Sequence, residues 1–301
     1  ASLMGAIVLV KVSLALGLFV WEQWFIKQVD LVKRYGRDYW AVITSGSDGI
    51  GLAIAEKLAE AGINVVLVAR NEEKLKEKVK KLTAACKAKV QYRVADFSKA
   101  VSPEFYTELY NSMKDIDVSI LVNNVGMGGL GFYDCLLQNC WDQSMVNIVP
   151  QFMMTKVFFN HFKARTTQSA VIDVSSITSL AEFVDCGLYG GTKSFNRAFS
   201  QNMQEKFGAE YGIDFLVLKT GFVLSNFGDG VTSIKDKFKN TSDGFTVFTP
   251  EVCATSALKA LGNVWETFGC HSLIGSLLNA GIWLTPAIQI TQLCKILGLK
   301  K

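Results

Sequence analysis

Residues 40–51, WAVITSGSDGIG, join an apolar run to a glycine-rich loop. The run Trp40–Thr44 is short and bounded, which predicts a buried strand. The residues that follow predict a helix over 50–61, ended by Gly62. Between a strand and a helix N-terminus, backbone N–H groups and the helix dipole favour a phosphate group. We therefore expect a dinucleotide pyrophosphate at Ser45, Gly46, Ser47, Asp48, Gly49, Ile50 and Gly51.

The chain beyond this loop repeats the alternation of strand and helix. Asn71 is positioned to cap a helix in which Leu75, Val79 and Leu82 recur at helical spacing. Strands rich in Val, Ile and Leu that alternate with helices indicate a parallel sheet covered on both faces. We predict one doubly wound α/β domain over residues 38–265. Its further strands are expected at 64–70, 90–96, 118–124, 169–176 and 214–220.

The composition excludes several classes of function. The chain has 301 residues and a formal net charge of +4, and its lysines are mixed with acids, as in NEEKLKEKVKKL. This mixing is typical of a solvated helix face and argues against nucleic-acid binding. The seven cysteines are scattered, which favours free thiols, and the two histidines have no metal-ligand spacing. We therefore expect neither a metal site nor a Ser-His-Asp hydrolase.

Both ends of the chain are apolar. Residues 3–26 are about long enough to span a bilayer. Lys11 interrupts them, and a lysine at a helix centre costs about 2.5–3.5 kcal/mol on insertion. A spanning helix, an interfacial helix and an arm packed on a partner therefore all stay open. Residues 267–294 carry no charged side chain and suit either a second membrane-dipping segment or a lid over an apolar pocket.

These features divide the chain into three parts. Residues 1–37 would form a hydrophobic anchor or arm, residues 38–265 the α/β domain, and residues 266–301 an apolar extension. The lysines and arginines that follow the first segment would keep the domain on the cytosolic or matrix side of a membrane. We expect membrane association, with the endoplasmic reticulum favoured and a mitochondrial membrane as the alternative.

A tyrosine and a lysine stand four residues apart in Tyr189-Gly-Gly-Thr-Lys193, after a strand that ends at Ser176. In a helix this spacing puts both side chains on one face. A lysine ammonium beside a phenol lowers the pKa of the phenol, which would make Tyr189 a proton donor and acceptor near neutral pH. The same spacing also suits an ordinary surface pair. Two glycines inside a helix cost about 1 kcal/mol each, which indicates a close approach at this point.

Together these motifs resemble the short-chain dehydrogenase/reductase family. The resemblance rests on the phosphate loop, NNVG at 123–126, Asn147 in MVNIV, Ser176 and YGGTK, in the family's order and spacing, and it covers about residues 40–230. It implies a Rossmann sheet of the short-chain dehydrogenase type. SDGIG, LVNNVGM and the apolar N-terminal segment further resemble a membrane-bound branch of the family. That branch contains 17β-hydroxysteroid dehydrogenase type 12, the very-long-chain 3-oxoacyl-CoA reductase.

The resemblance implies a role for each member of the catalytic set. Tyr189 would protonate a substrate carbonyl as hydride arrives from the nicotinamide, and Lys193 would hold the ribose hydroxyls. Ser176 would orient the carbonyl, and Asn147 would support a water relay to Lys193. The implied substrate is an apolar ketone of the 3-oxoacyl-CoA or 17-ketosteroid type. Family members often pair through the helices around Asn147 and Tyr189, which makes a homodimer one expected state.

The residues expected to bind the cofactor follow partly from the resemblance and partly from charge. By resemblance, Asp96 would contact the adenine, Val223 would contact the cofactor, and Asn123 would support the central strands beside it; a purely structural role for Asn123 stays open. An acid after the second strand would bind the ribose 2′-hydroxyl of NAD, whereas an arginine suits the 2′-phosphate of NADP. Arg70 stands there and no acid does. We predict NADPH as the cofactor, the alternative being that Arg70 only faces solvent.

Three positions depart from the family pattern. Ser45 replaces the first glycine of the loop, Thr220 replaces a proline after the sixth strand, and Ser225 stands for a later threonine. A positive φ at Ser45 would strain the backbone by about 1–3 kcal/mol. Alternatively, Gly46 takes the turn, or the serine hydroxyl donates to phosphate. Two hypotheses follow: an active membrane-bound NADPH-dependent reductase, and a non-catalytic family member that serves as a subunit of a membrane protein complex.

Overall fold

The computed structural model describes residues 26–128, 136–180, 186–225, 227 and 247–268, together with residues 13, 17, 20, 21 and 25. Within these residues the strands are β1 (Trp40–Thr44), β2 (Asn64–Ala69), β3 (Val90–Val94), β4 (Val118–Asn123), β5 (Ser169–Ser176), β6 (Ile213–Thr220), β7 (Phe222–Val223), β8 (Val247–Phe248) and β9 (Glu266–Thr267). The α-helices are α1 (Leu31–Tyr35), α2 (Gly49–Glu60), α3 (Glu72–Ala85), α4 (Pro103–Asn111), α5 (Leu137–Ala164), α6 (Gly187–Met203), α7 (Ala209–Tyr211) and α8 (Pro250–Ala260).

Seven of the described strands form one sheet in the order β3-β2-β1-β4-β5-β6-β9, and β7 and β8 form a separate pair. Every neighbouring pair in the sheet is parallel. The chain runs outward from β1 to β3 and then crosses back to place β4 on the other side of β1. Ligands bind at such a reversal in α/β sheets, beyond the carboxyl ends of the strands. The predicted doubly wound parallel sheet is confirmed.

Helices cover both faces of the sheet, which explains the continuous apolar strands. Every residue of β1, β2, β4 and β5 is buried. One core cluster joins the sheet to α2, α3 and α8 through residues such as Leu58, Leu75 and Ala257. A second cluster lies on the other face, where Tyr106 of α4 and Phe158 of α5 pack. Burial on both faces removes the alternation of polar and apolar residues that a half-exposed strand would show.

Local signals placed the ends of the first helices correctly. Asp48 caps α2, which begins one residue before the predicted start and ends at Glu60. Gly62, two residues after the last residue of α2, has φ 91° and turns the chain away from the helix, as its position suggested. Asn71 caps α3, because its side chain accepts a hydrogen bond from the N–H of Lys74 at 2.9 Å.

Contacts at the edge of the sheet extend beyond the predicted domain limits. In α1, Arg34 Nε and Nη2 donate to the Asp214 carboxylate at 2.7 and 2.9 Å. Tyr35, which is fully buried, also donates to Asp214, at 2.8 Å. At the C-terminal limit, Glu266 of β9 lies past residue 265 and forms an ion pair with Lys219 Nζ at 2.8 Å. Segments on both sides of the predicted domain therefore pack on its sheet.

The two apolar ends lie mainly outside the described residues. This holds for the predicted anchor at residues 3–26, of which only five positions and Ile26 are described, and for residues 269–294 of the apolar extension. Among the helices that the structure describes, none is long and apolar enough to cross a membrane.

Candidate active site

The glycine-rich loop joins β1 to α2 at the carboxyl edge of the sheet. Asp48 Oδ1 accepts a hydrogen bond from the N–H of Gly49 at 2.8 Å and so caps α2. Its Oδ2 forms an ion pair with Lys74 Nζ of α3 at 2.5 Å. The remaining N–H groups of the first turn point out of the helix end, where the dipole favours a negative charge. The predicted strand-loop-helix arrangement of the phosphate loop is confirmed.

Ser45 itself takes the left-handed backbone conformation in this loop. Its φ is +51°, close to the +54° of Gly49, whereas Gly46 has no positive φ. The alternative in which Gly46 takes the turn is therefore wrong. Gly46 is glycine for another reason, because a Cβ there would lie 2.9 Å from the carbonyl oxygen of Ile43. A side chain in the left-handed region costs an L-residue about 1–2 kcal/mol, so the loop carries strain at Ser45.

Two residues that the sequence reasoning did not assign to the site hold the loop in place. Thr44 Oγ1 accepts a hydrogen bond from the N–H of Asn124 at 2.9 Å. Asn124 Nδ2 in turn donates to the carbonyls of Thr44 and Ser45 at 3.1 and 3.2 Å. A Cβ on Gly51 would lie 2.5 Å from Asn124 Nδ2, so this glycine permits the contact. The pair Asn123-Asn124 is visible in the sequence at the end of a predicted strand, but periodicity could not show that Asn124 faces the loop.

The ends of β2 and β3 carry the residues expected around the adenosine. Arg70 follows β2 and is exposed. Asp96 follows β3, is partly buried, and accepts hydrogen bonds from the N–H and the hydroxyl of Ser98 at 3.1 and 2.7 Å. These contacts make Asp96 the cap of the turn Phe97–Lys99. Both positions lie at the carboxyl edge, beside the phosphate loop.

Ser176, Tyr189 and Lys193 meet where β5 and α6 pack together. Tyr189 and Lys193 lie on α6, as predicted, and Lys193 Nζ is 5.7 Å from the centre of the Tyr189 ring. Lys193 is almost fully buried, and its Nζ donates to the Val174 carbonyl at 2.9 Å. A Cβ on Gly190 would lie 3.1 Å from a carbonyl oxygen, that of Thr178. This contact accounts for the predicted close approach at Gly190, whereas a Cβ on Gly191 would meet nothing within 4 Å.

Asn147 lies beside this group on α5. Its Nδ2 donates to Thr192 Oγ1 and to the Met127 carbonyl, both at 3.0 Å, and its Oδ1 accepts from the Met127 N–H at 2.6 Å. Gly126 lies between the two sides of the cleft, since a Cβ there would be 3.4 Å from both Asn147 Oδ1 and Lys193 Nζ. The four residues proposed as the catalytic set are therefore brought together by β5, α5 and α6.

Burial controls the protonation of the tyrosine and the lysine. Desolvation raises the pKa of Tyr189, and a hydrogen bond with Ser176 opposes the rise. Desolvation lowers the pKa of Lys193 to about 8, and the negative charge of Asp173 opposes that shift. The expectation that Lys193 lowers the pKa of Tyr189 is contradicted, because desolvation is the largest influence on that pKa and raises it, and Lys193 is not among the groups that shift it. The phenol therefore keeps its proton at neutral pH.

Asn123 lies beneath the cleft in the core. Its Nδ2 donates to Asp173 Oδ1 at 2.9 Å and to Thr155 Oγ1 at 3.1 Å. These bonds join β4, β5 and α5, which is the supporting arrangement that both interpretations of Asn123 require. Val223 belongs to β7 and is in register with Phe248 of β8.

The segment after β6 passes over the cleft. Thr220 Oγ1 donates to the Ser175 carbonyl at 3.3 Å, a hydrogen bond that proline could not make. A Cβ on Gly49 would lie 3.1 Å from Ser225 Cβ, which places this segment against the phosphate loop. The ring of Phe227 lies 6.2 Å from that of Tyr189, centre to centre. The cleft thus has an apolar wall next to Tyr189.

The residues present fit a nicotinamide dinucleotide. Glycines lie at both ends of the cleft, Gly49 and Gly51 in the first turn of α2 and Gly126 beside Lys193 and Asn147. The helix end supplies N–H donors for phosphate, and Lys193 supplies a buried ammonium for hydroxyl groups. Within the described part of the chain, no group of three or more His, Cys, Asp or Glu side chains could hold a metal ion.

The family follows from comparison with known proteins. The family model described as short chain dehydrogenase matches residues 39–235. The chain belongs to this family. The resemblance inferred from the sequence motifs is confirmed, and the chain has the fold of an oxidoreductase family.

The relatives of this chain differ in activity according to their names. The human inactive hydroxysteroid dehydrogenase-like protein 1 is 34% identical over 252 residues, which cover 81% of this chain and 72% of that protein. The very-long-chain 3-oxoacyl-CoA reductase of Macaca fascicularis is 29% identical over 276 residues, which cover 88% and 84%. The solved alcohol dehydrogenase of Thermococcus sibiricus, complexed with 5-hydroxy-NADP, has a TM-score of 0.64 at 26% identity and covers 76% of this chain and 95% of its own.

Proposed function

We propose that the chain is an NADPH-dependent reductase of an apolar ketone. The observation that carries the proposal is the convergence of Asn147, Ser176, Tyr189 and Lys193 on one cleft, beside the glycine-rich N-terminus of α2. Each group supplies a function that carbonyl reduction needs. The loop at residues 45–51 would hold the pyrophosphate, and the nicotinamide, when bound, would supply the hydride.

The protonation of Tyr189 suits reduction. Because burial raises its pKa, the phenol holds a proton at neutral pH and can donate it to a carbonyl oxygen. Ser176 interacts with the same phenol and would hold the carbonyl oxygen beside it. Lys193 would bind ribose hydroxyls as an ammonium ion, and Asn147 would order a water next to it beside Gly126. Residues 189 and 193 thus divide proton donation and cofactor binding between them.

The substrate in this proposal is a 3-oxoacyl thioester or a 17-ketosteroid. Phe227 beside Tyr189 supports an apolar ligand, as does similarity to a protein named very-long-chain 3-oxoacyl-CoA reductase. We further propose that the apolar ends associate with a membrane, that of the endoplasmic reticulum rather than of a mitochondrion, and that two copies pair through α5 and α6.

The first test is cofactor binding followed by turnover. We expect the purified chain to bind NADPH in a calorimetric titration with micromolar or tighter affinity, and Tyr189→Phe to bind equally well while ketone reduction falls by at least a hundredfold. Phe retains the ring that packs against Phe227 and removes only the proton donor. An absence of NADPH binding, or full activity of Tyr189→Phe, would refute the proposal.

The preference for NADPH rests on Arg70. An arginine after β2 attracts the 2′-phosphate, whereas an acid there favours the free 2′-hydroxyl of NADH. We expect Arg70→Asp to move the ratio of NADPH to NADH affinity toward NADH by at least tenfold. Lys81→Asp is the matched control, since it makes the same charge change at an exposed position near the far end of α3. Equal ratios in the two variants would contradict the role given to Arg70.

A second candidate function is a non-catalytic subunit of a membrane complex. The left-handed backbone at Ser45 favours it, because strain in the phosphate loop opposes tight cofactor binding. Similarity to a protein named inactive hydroxysteroid dehydrogenase-like protein 1 also supports it. The two candidates separate in one experiment, because only the enzyme binds NADPH and reduces a ketone when purified alone.

A further inference from the structure

A buried polar cluster that the proposed reaction does not use lies behind Lys193. Its members come from β4, β5, α5 and α6, and each is at most 5% exposed: Asn123, Gln151, Thr155, Asp173, Asn196 and Ser200. Lys193, Asn196 and Ser200 are spaced by three and four residues on α6, so they share one face of that helix. The cluster therefore continues the row that begins with the lysine, and Asp173 is the acid in it.

Asp173 has fewer hydrogen bonds than a buried carboxylate needs. It is 0% exposed, and its Oδ1 accepts from Asn123 Nδ2 at 2.9 Å. Its Oδ2 has no hydrogen bond of normal geometry to any described residue, and neither do the side-chain oxygens of Asn123, Gln151 and Asn196. The side chains of Ser200 and Gln151 nevertheless approach the carboxylate closely enough to lower the pKa of Asp173. A buried negative charge is costly unless a cation compensates for it. This group of unpaired acceptor oxygens favours a positive charge nearby.

Lys193 has the complementary deficit. It is 3% exposed, and its Nζ donates to the carbonyl of Val174, the residue that follows Asp173 on β5. A buried ammonium with one neutral hydrogen-bond partner also needs a counter-charge. The side chains around it on α5 are neutral, and Tyr189 on its own helix keeps its proton.

Among the described residues near β5 and α6, two other basic side chains already have an acidic partner. Lys219 and Arg197 both form ion pairs with Glu266, at 2.8 and 3.1 Å. This leaves Asp173 as the acid whose charge acts on Lys193.

We propose that Asp173 is a positioning residue that keeps Lys193 an ammonium ion, as its buried counter-charge behind the cofactor cleft. Each group acts on the other in the required direction. Desolvation lowers the pKa of Lys193, and the charge of Asp173 raises it. Desolvation raises the pKa of Asp173; hydrogen bonds from Asn123, Ser200 and Gln151 lower it, and the charge of Lys193 adds to that lowering. The consequence for NADPH binding rests on the proposed function, whereas the coupling between the two side chains does not.

The test titrates Lys193 directly by NMR in protein labelled with [ε-13C]lysine. The Lys193 resonance is identified by its loss in Lys193→Met, and its midpoint near pH 8 separates it from ordinary lysines near about 10.4. Asp173→Asn keeps the oxygen that accepts from Asn123 and removes the charge. We expect this variant to lower the Lys193 midpoint by about one pH unit. The control Asp115→Asn, at an exposed position, should leave the midpoint unchanged.

A reciprocal measurement covers the case in which Asp173→Asn does not fold. Coupling between two sites acts equally in both directions, so Lys193→Met should raise the midpoint of the Asp173 carboxyl from about 6, followed by its 13Cγ shift. In either experiment, a midpoint that is the same in the variant as in the wild type would overturn the proposal. NADPH affinity is measured in parallel. In the wild type it should fall above about pH 8, and in Asp173→Asn it should begin to fall at a pH about one unit lower. If no NADPH binds, the proposed function fails while the NMR result still decides the coupling.

Discussion

Replacing Ser45 by glycine tests the strain in the phosphate loop. The φ of +51° costs a residue with a Cβ about 1–2 kcal/mol. The extra freedom of glycine in the unfolded chain offsets about 0.4–1 kcal/mol of that gain. The backbone carbonyl that accepts from Asn124 remains in the variant. We therefore expect Ser45→Gly to raise the free energy of unfolding by about 0.5–1 kcal/mol, or the melting temperature by about 2 °C.

The same variant measures what the strain does to cofactor binding. If the Cβ of Ser45 hinders the pyrophosphate, NADPH should bind more tightly in Ser45→Gly, by up to about tenfold for each 1.4 kcal/mol released. Melting curves give the stability and isothermal titration gives the affinity. A stability below that of the wild type would refute the strain argument.

Two matched variants separate strain from site effects. Asp38 has φ +67° at an exposed position before β1, so Asp38→Gly should gain similar stability and leave NADPH affinity unchanged. Gly49→Ala should change stability in the opposite direction, because Gly49 has φ +54° and its Cβ would lie 3.1 Å from Ser225 Cβ. Equal affinity gains in Ser45→Gly and Asp38→Gly would mean that the effect does not arise at the phosphate loop.

Two further predictions concern stability. Asp214→Asn should lower the free energy of unfolding by about 2 kcal/mol, because Arg34 and Tyr35 then donate hydrogen bonds to a neutral amide instead of a carboxylate. Urea unfolding midpoints measure the effect, with Asp115→Asn as the control. Equal midpoints in the two variants would contradict the prediction. The second is a pH dependence. Burial raises the pKa of Asp173 from 3.8 to about 6, so the native state binds this proton more tightly and the resulting stability is lost as pH rises through 6. Asp173→Asn should lack that loss and gain on the order of 2 kcal/mol relative to wild type between pH 4 and 7, by urea titration at each pH; parallel curves would contradict it.

The fold was predictable from local patterns. The strand at 40–44, the cap at Asn71 and the helix carrying Tyr189 and Lys193 were all predicted and are confirmed. Each depends on residues within one or two turns of the chain. The short strand β9 was not predicted, because two residues carry no periodicity and are held only by pairing with β6.

The residue types of the candidate site were predictable from the sequence, but the pKa shifts and some of the hydrogen bonds were not. Motif spacing named Ser176, Tyr189 and Lys193, which the structure brings together. It gave the wrong direction for the pKa of Tyr189, because spacing on a helix measures proximity to a lysine and not the desolvation of the phenol. It also did not assign Asn124 to the loop, because only pairing of β1 with β4 brings Thr44 within hydrogen-bond distance.

The sequence by itself determined the order of strands and helices and the position of the glycine-rich loop, since these follow from periodicity and short motifs. The residues proposed as the catalytic set came from resemblance to a known family. Only the tertiary structure decided which residue takes the left-handed turn, Ser45 rather than Gly46. It also decided that Asp173 lies buried behind Lys193, bonded to an asparagine fifty positions away in the chain. The reason is physical, because backbone strain and the charge of a buried group depend on the neighbours that packing supplies, and a linear pattern does not specify them.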